Sequence, residues 1–156
     1  MNQDFKDLLS TFNEHHVDFM IVGAHALAAH GHVRATKDMD IWVRPDAENA
    51  GRVFQALATF GAPLQGLDEK DLATPGVVYQ IGVAPVRIDI LTEVDGLTFD
   101  EAWKERFPAK FAGVSTAVLS RRHLEINKRA SGRLQDLADL EALEKLVKPR
   151  MSAGSD

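Results

Sequence analysis

The segment Val33–Val43, VRATKDMDIWV, carries two aspartates one residue apart, Asp38 and Asp40. In a strand, successive side chains alternate between faces, so Asp38, Asp40 and Trp42 share one face while Met39, Ile41 and Val43 share the other. The apolar face is expected to turn to the core. That leaves two carboxylates about 6.5–7 Å apart along the strand on the opposite face. A later run, VRIDILT, repeats the arrangement: Ile88 and Ile90 point one way and Asp89 the other. An aspartate among isoleucines is a poor strand residue by propensity, so Asp89 needs a reason. If its strand lies beside the first, three carboxylates converge. At about 4 Å and an effective dielectric of about 20, one like-charge pair costs on the order of 4 kcal/mol. Either the pKa values rise or a cation neutralises the cluster. Oxygen donors without His or Cys favour a hard ion, Mg²⁺ or Mn²⁺. Two such ions about 3.5–4 Å apart support in-line phosphoryl or nucleotidyl displacement. The alternative is that these are solvated aspartates at strand ends, a reading that a lone D-x-D pattern leaves open.

The elements that must position these groups follow from periodicity. Phe5, Leu8, Leu9 and Phe12 make the stripe of a first helix. Asp18–Val22 is a short apolar run suited to a buried strand, and the Ala-rich stretch Ala24–His30 to a short helix stopped at Gly31. Lys37–Val43 alternates as a strand. Pro45–Asp46 opens a helix through Phe60, with Val53, Phe54, Leu57 and Phe60 inside and Gly61 ending it. Gly61–Gly76 reads as a long loop containing a turn of helix. Val77–Ile81 and Val86–Leu91 form a hairpin around Gly82-Val83-Ala84-Pro85, with Pro85 at the strand edge. Phe99–Arg106 is a short helix capped by Thr98, and Val114–Leu119 a weak strand. Ser120 caps a helix to about Arg129, and Leu134, Leu137, Leu140, Leu143 and Val147 stripe a last one. The pattern predicts a small α/β domain on a mixed sheet with flanking helices and a helical C-terminal part. Residues 1–148 are expected to form one domain, and 149–156 a flexible tail.

Charge narrows the partners. The chain of 156 residues has 18 basic and 23 acidic side chains, a net charge of −5, which does not attract polyanions generically. Contact with one nucleic acid must then use a local patch, and basic residues are densest near Arg121, Arg122, Lys128, Arg129 and Arg133. There is no cysteine, which removes disulfides, thiolate metal sites and Cys nucleophiles. No apolar run approaches the roughly 20 residues of a membrane span, and no signal peptide opens the chain. A cytoplasmic address is the expectation.

Several further residues carry a chemical and a bland reading. Arg34 could neutralise a phosphate or hold Asp38, or be a surface arginine. Arg133 opens a helix, an unusual place for a cation, which points to an anion or carboxylate nearby. Trp42, on the carboxylate face, could flank a base. His25 or His30 could touch phosphate or base; packing or surface roles are the simpler reading. Trp103 and Phe107 are expected to pack the helix around them onto the sheet.

Taken together, Val22-Gly23-Ala24, then Arg34-x-Thr36-x-Asp38-x-Asp40, then Asp89 in a later strand, resemble the polymerase-β-like nucleotidyltransferase superfamily. Within it the chain is most similar to AbiEii-type proteins of abortive-infection and toxin–antitoxin systems. Those add a Lys followed, after seven residues, by an Asp, a spacing met here by Lys128 and Asp136. The resemblance runs from about Phe19 to Leu146. It implies that Asp38 and Asp40 hold Mg²⁺ (or Mn²⁺) and that Asp89 completes the metal site and helps activate an attacking hydroxyl. It further implies that Gly23 and Ala24 approach a triphosphate, that Arg34, Thr36, Lys128 and Arg133 line the nucleotide site, and that Asp136 orients Lys128 or the acceptor.

The activity so implied is transfer of a nucleoside monophosphate from a nucleoside triphosphate to an acceptor hydroxyl. The acceptor would be an RNA end, such as tRNA, or a protein side chain, and an antitoxin or toxin partner is expected with it. The family usually has Gly-Ser or Gly-Gly where this chain has Gly23-Ala24, which removes one hydroxyl from the turn and leaves its backbone N–H groups. The chain is also short beside many AbiEii-type proteins, and the expectation is an acceptor-binding part that is reduced or supplied by a partner. Two alternatives keep the same carboxylates: a catalytically weak or inactive nucleotide- or partner-binding member of a toxin–antitoxin pair, and a metal-dependent phosphodiesterase with water as acceptor.

Overall fold

Local signals set most of the boundaries. In a computed structural model, which describes residues 2–36, 38–82 and 87–154 (the last eight as backbone), helix α1 spans Gln3–Glu14 with Asn2 as its N-cap. Strand β1 (Phe19–Val22) is buried at every position and leads into α2 (Gly23–Ala29). Strand β2 is Asp38–Val43 and helix α3 Ala47–Phe60. The Asp46 carboxylate caps α3 at Asn49 N, and Gly61 closes it in the left-handed conformation, φ 95°. Within the long loop that follows, Asp68 and Asp71 form a reciprocal capping box around α4 (Glu69–Leu72). Strands β3 (Val78–Ile81) and β4 (Arg87–Leu91) pair antiparallel. The expected turn at Val83-Ala84-Pro85 and Val86 lies outside the described residues.

Then come α5 (Phe99–Lys104), capped by Thr98, strands β5 (Phe107–Phe111) and β6 (Val114–Val118), α6 (Arg121–Ser131), capped by Ser120, and α7 (Leu134–Gly154). The strands form one six-stranded mixed sheet in the order β3-β4-β2-β1-β6-β5, with β2–β4 and β1–β6 parallel. This is the small mixed α/β architecture that the sequence predicts. Helices α1 and α3 pack on each other and on β6 and β2, over a core that includes Leu8, Phe12, Met39, Ile41 and Leu57.

Several expectations are corrected. Strand β5 was not anticipated: FPAKF holds a proline, which only an edge strand tolerates, and β5 is an edge. It joins β6 through Ala112 and Gly113, both at positive φ, as a two-residue hairpin needs. Phe107 therefore stands on this edge, 43% exposed, against the His30 ring rather than packing α5. Trp42 does not flank an open site. It is buried, edge-on to Phe99 of α5, which covers that end of the carboxylate face. Leu134 and Leu137 point outward, 88% and 46% exposed, because the inner face of α7 is taken by Asp136, Asp139, Leu140 and Leu143. Helix α7 runs to Gly154.

Candidate active site

Because β2 and β4 run parallel, Asp38 is opposite Arg87 and Asp40 opposite Asp89. Register partners share a face, so all three carboxylates stand on one side of two adjacent strands, as their alternation predicts. Their mutual repulsion is met in two ways. The Arg87 guanidinium donates to Asp38 (Nη2–Oδ2 3.0 Å) and to Asp89 (Nε–Oδ1 3.0 Å). Asp40 has no ion-pair partner among the described residues, and its pKa is pushed from its ordinary 3.8 up to about 6. Burial is the largest cause, Asp89 and Asp38 add to it, and Lys128 and Arg87 oppose it. Sequence reasoning missed Arg87, though it lies two residues before Asp89 and so on the same face.

Gly23 matters here by what it lacks. At φ +69° it links β1 to α2, and a Cβ on it would lie 2.5 Å from Asp40 Oδ2. Only glycine lets the backbone approach that carboxylate so closely. Ala24 follows in the first turn of α2. Thr36 accepts from Asp38 N through its hydroxyl (3.4 Å), a local bond at the entry to β2.

A second charged cluster joins α6, α7 and the segment before β2. Buried Lys128 contacts two buried aspartates, Asp136 (Nζ–Oδ1 3.2 Å) and Asp139 (Nζ–Oδ2 3.0 Å). Arg133 Nε reaches Asp136 at 2.8 Å, which supplies the carboxylate its helix-start position called for. Arg34 holds Asp139 through both Nε and Nη2 (3.0 and 3.1 Å), not Asp38. Burial pulls both aspartates upward, but the donors more than offset it and hold them below the ordinary carboxylate range. Asp139 was also missed; its spacing of three from Asp136, within a leucine stripe, was the available signal. Lys128 and Arg133 both act electrostatically on Asp40, so the two clusters form one charged region. His25 packs edge-on against Phe5 and Phe111, and burial lowers its pKa against the opposing effect of the Asp38 backbone.

The donor set suits a hard divalent cation in kind: three carboxylates on one face, one of them, Asp40, half-buried and without a counter-ion among the described residues. The charge now facing Asp38 and Asp89 is the Arg87 guanidinium. Among the described residues, no group of three acidic or histidine side chains is arranged to hold a metal ion. A cation held by Asp38, Asp40 and Asp89 thus requires the Arg87 contacts to yield.

No family profile matches the chain, and no curated protein sequence does. Solved structures do resemble it. A Thermotoga maritima protein assigned as a nucleotidyltransferase superposes with a TM-score of 0.57 at 14% identity, over 93% of this chain and 91% of that one. The lincosamide antibiotic adenylyltransferase LnuA, in its lincomycin-bound structure, gives 0.60 at 13% identity, over 92% and 96%. Likeness at these identities speaks to architecture, and over nearly its whole length the chain has the fold of these nucleotidyltransferases.

Proposed function

We propose that the protein is a Mg²⁺- or Mn²⁺-dependent nucleotidyltransferase that moves a nucleoside monophosphate from a nucleoside triphosphate to an acceptor hydroxyl and releases pyrophosphate. The observation that carries this reading is the pairing of Asp40 with Asp89 beside Asp38, with Asp40 left half-buried and, among the described residues, without an ion-pair partner. Asp38, Asp40 and Asp89 are the residues that hold the cation, which supplies charge neutralisation on the triphosphate and the leaving pyrophosphate. Asp89 accepts the proton of the hydroxyl as its oxygen attacks the α-phosphorus and the bond to the pyrophosphate oxygen breaks. The Gly23–Ala24 backbone, beside Asp40, contacts the triphosphate. Lys128 is committed to two aspartates and contributes through its field, with Asp136 orienting it. Arg133, its side chain 78% exposed, is the cation open to phosphate. Arg34 and Thr36 shape the segment entering β2.

The acceptor is an RNA end, such as tRNA, or a protein side chain, and the resemblance to AbiEii-type proteins supports an activity within a toxin–antitoxin pair, with a cognate partner chain. LnuA acts on a small antibiotic, so a small hydroxylated molecule belongs in the same test. Purified protein is incubated with each α-labelled ribonucleoside triphosphate and MgCl₂, with total RNA, lysate protein or lincomycin as acceptor. Label transfer is expected with one of them, and its loss in Asp38→Ala and Asp40→Ala variants that keep the wild-type circular dichroism. Undiminished transfer by either variant refutes the assigned roles.

A further inference from the structure

We propose that Gln80 forms the acceptor side of the site, its amide hydrogen-bonding the hydroxyl-bearing acceptor that attacks beside Asp89; this rests on the nucleotidyltransferase reading above. Register carries the argument. Gln80 is opposite Asp89, Asp89 opposite Asp40, and Asp40 opposite Val22, which precedes Gly23. These four positions make one transverse row across β3, β4, β2 and β1, and cross-strand partners share a face. At about 4.8 Å per strand, the Gln80 backbone lies about 5 Å from that of Asp89 and about 10 Å from that of Asp40. The row therefore has a donor end at Gly23 and an opposite end at Gln80, with the carboxylates between.

The two ends differ in access. Beyond Val22 the sheet continues through β6 and β5, whereas among the described residues no strand lies outside β3. Gln80 is exposed, and among the described residues its amide makes no hydrogen bond. Its direction is fixed by its neighbours: Tyr79 and Ile81 pair with Ile90 and Ile88 on the opposite face. The residue type fits as well. A second cation here would join Arg87 in competing for Asp89, and a further carboxylate would add to the mutual repulsion of the cluster. A neutral amide both donates and accepts, which suits a polyhydroxyl acceptor whose second oxygen lies beside the attacking one.

The test uses glycerol as the probe acceptor. Full-length protein with MgCl₂ and each α-labelled triphosphate gives AMP-type product when water attacks the α-phosphorus, and a glyceryl nucleotide ester when a glycerol oxygen does. In both, the bond to the pyrophosphate oxygen breaks and the proton passes to Asp89. The ratio of ester to monophosphate reads the acceptor side alone. In Gln80→Ala this ratio is expected to fall about fivefold, the effect of one neutral hydrogen bond. Val78→Thr, on the same edge and face, is expected to leave it unchanged. An unchanged ratio in Gln80→Ala, an equal fall in Val78→Thr, or monophosphate without ester from the wild type overturns the role of Gln80. Absence of pyrophosphate release from the wild type with every triphosphate and acceptor overturns the nucleotidyltransferase reading itself, and the role of Gln80 with it.

Discussion

Replacing Asp40 with asparagine should make the metal-free protein more stable, not less. The amide that Asp40→Asn introduces has the shape of the protonated acid and carries no charge at any pH. The native environment raises the Asp40 pKa from 3.8 to about 6, mainly through burial and then through Asp89 and Asp38. A raised acid stabilises the fold when protonated. That contribution is complete below the unfolded value and is lost as pH rises through about 6. Two pKa units at about 1.4 kcal/mol each correspond to at most about 3 kcal/mol for this half-buried group. For a chain of this length that amounts to a rise in Tm on the order of 10 °C. The assay is thermal unfolding of both proteins in chelator across the pH range. The variant is expected to melt higher at about pH 8, with the gap narrowing through about pH 6 and closing near pH 4. A variant no more stable than wild type at the alkaline end, or a gap that does not change with pH, refutes the claim that Asp40 is held as a strained anion. The same carboxylate would then be paired or hydrated, and the case for a cation there would lose its physical basis.

Two further outcomes concern the scaffold of the site. Lys128→Met removes the ammonium between Asp136 and Asp139, and although Arg133 and Arg34 remain, stability in urea should fall by about 3 kcal/mol; a loss below about 1 kcal/mol would show that the arginines carry the pair alone. Gly23→Ala places a Cβ 2.5 Å from Asp40 Oδ2 at φ +69°. It should lose about 2 kcal/mol or more in the same assay and distinctly less in an Asp40→Ala background, since part of the penalty is that contact; equal losses in both backgrounds would remove the close approach as the reason for glycine.

The residue alternation in VRATKDMDIWV and VRIDILT settles which side chains share a face, because the pleat is a property of each strand by itself. Helix stripes and caps were legible for the same reason: Asp46, Ser120, Thr98 and Gly61 act within one turn of their own chain. Which strands become neighbours, and in what register, is decided by contacts between residues far apart in sequence. Only that pairing sets Asp40 against Asp89, brings Arg87 between Asp38 and Asp89, and puts Gln80 at the end of the row. Trp42 shows the limit of the periodic argument. Its alternation assigns it to the carboxylate face, but helix α5 lies over that end of the face and buries it. Leu134 shows the converse, an apolar residue on a predicted stripe left outside because Asp136 and Asp139, paired with Lys128, Arg133 and Arg34, take the inner positions of α7. Sequence thus determined the local geometry and the chemical kinds of the site; tertiary packing decided their company, since charge compensation and coverage depend on neighbours that no local period encodes.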